Sequence, residues 1–141
     1  MIFKVLCILC FTLSFLCPAQ NTKDVGFIKN QPYLKYAKHI NCDSTSGTTL
    51  EQRICSNIKL QRVDSMMLSK FNQILSKIEN DSLISVFKTH QSHWEAERKS
   101  IGMLKSEGYE HNAEAIMYMH YMIQATETRI LTLDILLEEL Y

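Results

Sequence analysis

Three long segments of the chain place apolar residues at the three- and four-residue spacing of an amphipathic helix. In the first segment the apolar positions are Leu50, Ile54, Ile58, Met67, Phe71, Ile74 and Ile78. Thr48 and Glu51 fit the capping box, which satisfies the first free backbone donors of a helix. The pair Thr49 and Gln52, one residue later, fits it as well. The pattern therefore predicts a helix from about residue 49 to about residue 79.

The second segment follows the polar sequence ENDS, in which Asn80 or Asp81 can cap a helix. Its apolar positions are Leu83, Val86, Phe87, Trp94 and Ile101, and the pattern fades at 106–108. The third segment begins at His111 or Asn112, and its apolar positions are Ile116, Met119, Ile123, Ile130, Leu133, Leu137 and Leu140. No segment alternates as a strand does. Short connections between the segments predict an all-α fold, an antiparallel three-helix up-down arrangement.

A polar stripe interrupts the apolar surface of the second predicted helix. An amide, the chain's only Trp and a guanidinium stand there at positions i, i+3 and i+7, and the first helix repeats this spacing. If the two helices fold back on each other, the facing pairs are Arg98 with Asp64, Trp94 with Met67 or Leu68, and Gln91 with Phe71. We interpret these residues as a seam between the two helices, in which the charge pair sets the register. A catalytic role is the disfavoured alternative, because Trp and Arg at helical spacing usually pack.

The first residues of the chain have the pattern of a secretory signal. A basic residue, Lys4, precedes an apolar run that ends at the small residue Ala19, before the polar Gln20. The run is too short to span a bilayer comfortably. We therefore predict a signal peptide over 1–19, export to the periplasm or the medium, and a mature form without a membrane span. Lipid anchoring at Cys17 is the less favoured alternative, because bulky residues precede it.

Removal of that segment leaves two cysteines, Cys42 and Cys55, in an exported chain. An even number of cysteines in an oxidising compartment favours a disulfide bond, whereas their spacing is poor for a zinc site. Residues 20–41 are polar and contain Pro32, so we expect a linker there. Residues 42–141 then form a single helical domain, which we expect to be monomeric.

The composition excludes several classes of function. The chain carries 15 Lys and Arg residues and 15 Asp and Glu residues, so its formal net charge is zero. This balance argues against a nucleic-acid partner, which would select a basic surplus. The sequence contains no glycine-rich phosphate loop, no serine elbow and no HExxH motif. We therefore predict no enzyme, no catalytic residue and no cofactor.

Two further clusters leave alternatives open. His90, His93 and Glu97 could hold a metal ion on one helix face, but no additional ligand of suitable spacing is evident. We interpret them as surface residues and predict no metal site. The stretch 115–123 is rich in Met and Tyr. It is interpreted as ordinary core, with an adaptable binding surface around Met119 as the alternative.

From Cys42 to its end, the chain resembles the LprI-like lysozyme-inhibitor family of small exported bacterial domains. The motifs that carry the resemblance are Cys42, Thr48-x-x-Glu51, Cys55, Asp64, Met67, Phe71, Gln91-x-x-Trp94-x-x-x-Arg98 and Thr126-x-x-Arg129. The third and fourth cysteines of the family pattern fall at Gly102 and near Tyr121, where this chain has no cysteine. If those two are bonded to each other in the family, a second bridge is missing here as a unit.

The resemblance implies a protein that binds and inhibits lysozyme and so protects the cell wall. The candidate contact is the loop that the two cysteines would hold, with Asp43, Ser44, Thr45, Ser46 and Thr48 as its partner-binding residues. The turn between the second and third helices is the weaker candidate. An envelope interaction module with a partner other than lysozyme is the alternative function.

Overall fold

A computed structural model describes residues 30–44 and 46–140. The predicted signal peptide, Cys17, the first part of the predicted linker and Thr45 lie outside the described residues. A 3₁₀ helix over Pro32–His39 precedes three α-helices, α1 (Thr49–Leu75), α2 (Asp81–Ser106) and α3 (His111–Glu139). The described residues contain no strand, and the all-α prediction is confirmed. None of these helices combines the length and apolarity needed to cross a membrane.

The starts of α1 and α2 follow the capping signals of the sequence. The Thr48 hydroxyl accepts from the Glu51 backbone N–H at 3.3 Å, and the Glu51 carboxylate accepts from the Thr48 N–H at 3.4 Å. Of the two possible capping boxes, the protein therefore uses the earlier one. Asn80 caps α2 through its side-chain oxygen. Helix α1 ends at Leu75 rather than near residue 79, and the Ser76 hydroxyl there bonds the Gln73 carbonyl, a local bond that competes with helix continuation.

Helices α1 and α3 run parallel, and α2 runs antiparallel to both. Arg53, near the start of α1, donates to Asn112 at the start of α3 at 2.6 Å. Lys70, near the end of α1, forms an ion pair with Asp134 near the end of α3. Helix α3 packs most closely against α1 and less closely against α2, while α1 and α2 meet through long side chains.

The buried apolar core comes from α1 and α3. Its residues are Leu60, Val63, Met67, Phe71, Ile74, Tyr118, Met119, Met122, Ile123, Ile130 and Leu133. The Met-rich stretch is thus ordinary core, as predicted. Helix α2 buries only Gln91, Arg98, Gly102 and Ser106, and covers the core with the partly buried Phe87 and Trp94. Helix α2 is therefore held against α1 and α3 largely by polar contacts.

The segment before α1 is fastened to the domain. The predicted disulfide between Cys42 and Cys55 is confirmed, with an S–S distance of 2.03 Å. Ahead of it, the Tyr33 hydroxyl accepts from the Asn57 side chain at 2.8 Å, and the Arg53 guanidinium lies 4.4 Å from the centre of the Tyr33 ring. The second half of the predicted linker thus forms a 3₁₀ helix that packs on α1.

Candidate functional site

The charge pair expected between the first two long helices lies at the centre of the domain and reaches the third. Arg98 Nη1 is 2.5 Å from Asp64 Oδ1 and also donates to Thr126 Oγ1 at 2.6 Å. The Thr126 hydroxyl donates in turn to the Met122 carbonyl at 2.7 Å. Arg98 on α2 therefore binds α1 and α3 at the same point.

Gln91 continues this network two helical turns before Arg98 in the sequence. Its side-chain oxygen accepts from Nε and Nη2 of Arg129, at 3.2 and 3.1 Å. Its side-chain nitrogen donates to Glu95 at 3.0 Å and to the Met67 sulfur at 3.2 Å. The amide thus lies between a buried cation on α3 and an exposed carboxylate on α2. Gln91 faces Met67 and not Phe71, whose ring instead stacks on that of Phe87, 4.9 Å away.

Trp94 lies beside both guanidinium groups of the network. Its ring centre is 4.8 Å from the guanidinium carbon of Arg98 and 5.6 Å from that of Arg129, distances at which a cation is attracted to the ring face. Arg129 is only 5% exposed, and this burial lowers its pKa. His90 Nδ1 lies 3.1 Å from Arg129 Nη2; since arginine can only donate, this nitrogen accepts.

The network contains residues that sequence reasoning left out of the seam. Thr126 and Arg129 entered only as part of the family motif, yet they carry the contacts of α3 with Arg98 and Gln91. Their one signal was two polar side chains at i and i+3 on the helix face that also carries Ile123, Ile130 and Leu133. The network joins all three helices through buried polar side chains. Within the described ranges, no group of three or more His, Cys, Asp and Glu side chains is placed to hold a metal ion.

The loop of residues 42–48, hereafter the Cys42 loop, is held at both ends. Beyond the disulfide, the Ser46 hydroxyl donates to the Glu51 carboxylate at 2.5 Å, and the Gln52 side chain donates to the Gly47 carbonyl at 3.1 Å. The hydrogen bond from Ser46 is the main reason that the pKa of Glu51 lies below its ordinary value. Ser46 and Thr48 therefore use their hydroxyls to hold the loop on α1.

Asp43 and Ser44 are the described loop residues whose side chains point into solvent without a hydrogen bond to the rest of the described chain. The Asp43 backbone N–H donates to the Asn41 side chain at 3.0 Å, which orients the loop at its start. Thr45, the remaining candidate contact residue, lies outside the described residues. The described part of the loop thus offers one carboxylate and one hydroxyl to solvent.

A groove runs from the Cys42 loop along the surface between α1 and α3. Its first part, of about 560 Å³, lies between the disulfide, the α1 segment 56–62 and the α3 segment 120–127. Its second part, of about 470 Å³, continues along 59–66 of α1 and 127–131 of α3. No residue of α2 lines either part. This α1/α3 groove is therefore on the side of the domain away from α2.

The charges along the α1/α3 groove are only partly compensated. Lys59 Nζ lies 2.9 Å from a Glu127 carboxylate oxygen, an ion pair that joins the two helices where the two parts of the groove meet. Arg62 lines both parts and forms no ion pair within the part of the chain that the structure describes. Asp43, at the loop end of the groove, has no basic partner there either.

Comparison with known proteins places these features in a family. Neither a curated protein nor a solved structure matches the chain. The family model described as "Lysozyme inhibitor LprI" matches residues 41–133, a range that takes in the disulfide, the buried network and both parts of the groove. The chain therefore belongs to the LprI lysozyme inhibitor family.

Proposed function

We propose that this protein binds and inhibits lysozyme, with the Cys42 loop as the contact. Membership of the LprI family supports the activity. The observation that supports the location is the way the loop is held, by a disulfide at Cys42 and by the capping box at Thr48. A loop held in one conformation loses little conformational entropy on binding, and this raises its affinity.

The chemistry of the exposed loop suits a cleft that works with two carboxyl groups. In lysozyme one of these is the protonated general acid and the other is ionised. Ser44 can donate a hydrogen bond to an ionised carboxylate, and the Asp43 carboxylate can accept one from a protonated acid. An inhibitor that offers one donor and one acceptor thus matches the protonation states of the pair.

The proposal is tested by titrating the purified, oxidised protein against several lysozymes on peptidoglycan. We expect dose-dependent inhibition. Reductant could also act on the lysozyme, so the bridge is removed with the double variant Cys42→Ser/Cys55→Ser, which should inhibit much less while circular dichroism shows its helices retained. Failure of the folded, oxidised protein to inhibit any of the lysozymes would refute the proposal.

A second variant locates the contact more closely. Asp43→Ala removes the acceptor from an exposed position, and the loss of one hydrogen bond at an interface corresponds to roughly tenfold weaker inhibition. Thr49→Ala, an exposed change on the α1 side of the capping box, serves as the control and should inhibit as the unmodified protein does.

The proposed activity requires export, and the predicted signal peptide supplies it. We propose that the mature protein begins at Gln20 in the periplasm or the medium. N-terminal sequencing of protein recovered from these fractions tests this. A mature chain that begins at a lipid-modified Cys17 would show the membrane-anchored alternative instead.

A further inference from the structure

The α1/α3 groove has the features of a protein-binding surface. It begins at the Cys42 loop, which the proposed function places against lysozyme, and it extends along two helices that α2 leaves uncovered. A target that contacts the loop is therefore adjacent to the groove. The two neighbouring features form one continuous surface.

The second part of the groove is apolar. Its floor contains Val63 and Ile130, which are buried, and its edges carry Met66 and Leu131, which are exposed. Leu131 keeps 64% of its surface in water although it stands beside this apolar floor. Apolar side chains grouped at the edge of a groove, with charged residues around them, are typical of a surface that a partner protein covers.

Charge complementarity defines the partner. Lys59 and Glu127 neutralise each other across the groove. Of the charged residues that line the groove, Arg62 at its middle and Asp43 at its loop end are therefore the two without an ion-pair partner in the described chain. A segment that lies along the groove would therefore place a carboxylate at Arg62. Its apolar side chains would lie beyond this carboxylate, on Met66 and Leu131.

We infer that the α1/α3 groove is the second half of the contact surface and receives an amphipathic segment of the inhibited lysozyme, whose carboxylate binds Arg62 and whose apolar side chains cover Met66 and Leu131. This inference rests on the proposed function, since it names the lysozyme as the partner. The Cys42 loop contacts the catalytic cleft of lysozyme, and the groove binds a neighbouring segment of lysozyme and so increases the affinity.

Two pairs of matched variants test the inference. Leu131→Asp places a charge in the groove, while Leu104→Asp makes the same change on α2 at a position of nearly equal exposure, 64% against 67%. Arg62→Glu reverses the charge at the middle of the groove, while Lys88→Glu reverses an exposed charge on α2. The dissociation constant for lysozyme is measured by calorimetry, beside the melting temperature of each variant.

We expect the two groove variants to bind lysozyme at least about tenfold more weakly and the two α2 variants to bind as the unmodified protein does. If Leu131→Asp disturbs folding, the result for Arg62→Glu is decisive, because Arg62 is exposed and has no ion pair with any described residue. Unchanged affinity in Arg62→Glu, with inhibition intact, overturns the groove and leaves the loop as the contact. Absence of binding by the unmodified protein overturns both the groove and the proposed function.

Discussion

Removing Asp64 should show how strongly the buried network holds the three helices together. The side chains of Asp64 and Arg98 are 12% and 6% exposed, so the pair is almost fully removed from water. In Asp64→Ala the Arg98 guanidinium would retain the Thr126 hydroxyl as its hydrogen-bond acceptor, and its Nε already has no partner in the described chain. Leaving a buried charge without its counter-charge costs about 3–5 kcal/mol. For a domain of this size that loss lowers the melting temperature by roughly 10–25 °C.

The control for Asp64→Ala is a variant that breaks an exposed ion pair between α1 and α3, Lys59 with Glu127. Lys59 and Glu127 have side chains that are 57% and 46% exposed, and such pairs contribute about 0–1 kcal/mol. Glu127→Ala should therefore leave the melting temperature almost unchanged. Chemical unfolding followed by circular dichroism measures both variants, with the free energy of unfolding taken from the linear extrapolation.

The double variant Asp64→Leu/Arg98→Met separates the value of the charge pair from the cost of breaking it. Replacement of a buried pair by apolar residues of similar volume is often close to neutral. We therefore expect the double variant to be more stable than Asp64→Ala. If Asp64→Ala unfolds at the same denaturant concentration as Glu127→Ala, the network does not support the fold. Arg98 would then become a candidate contact residue.

Two further predictions concern the packing of α2 and the holding of the loop. In Gly102→Ala the added Cβ would lie 3.0 Å from a ring carbon of the buried Tyr118. The cost of this overpacking exceeds the gain in helix propensity, so the variant should be less stable by about 1 kcal/mol. A thermal melt measures the change. An increase in stability would mean that the ring can move. Ser46→Ala should raise the pKa of Glu51 towards its ordinary value, as measured by NMR titration, because the strongest hydrogen bond to the carboxylate is lost. Since the folded pKa of Glu51 lies below the unfolded value, its contribution to stability is present above pH 4.5 and is lost as the pH falls through the folded pKa. An unchanged pKa in Ser46→Ala would refute this account of the loop.

The helices and their caps could be predicted because their signals are local. Thr48 with Glu51, and Asn80 before α2, provide acceptors for the first backbone donors of each helix, and the structure uses both. The contact of Arg98 with Asp64 also follows from two stripes of equal spacing on consecutive helices. Such features need only the sequence of one helix or of one hairpin.

The contacts of the third helix could not be predicted in the same way. Gln91 on α2 binds Arg129 on α3, which is 38 residues later in the sequence, because α3 packs beside both earlier helices. The spacing of apolar residues does not show how α3 is rotated about its axis relative to α1 and α2. Periodicity also identifies an apolar face without saying what covers it. Leu83 and Val86 fit the pattern of α2 and yet are exposed, because the side of α2 that meets the core is the polar stripe.

The buried network and the proposed contact surface lie on opposite sides of α1 and α3, and this arrangement connects stability with the proposed function. Arg98 and its partners hold α2 against one side of α1 and α3, so the other side remains open along the groove. The Cys42 loop is attached to α1 by the disulfide and the capping box, so the same helix positions both the loop and the groove. Substitutions in the network should therefore reduce inhibition only as far as they unfold the domain. Substitutions of Asp43 or Arg62 should reduce it at an unchanged melting temperature, and this difference distinguishes the support from the surface that it presents.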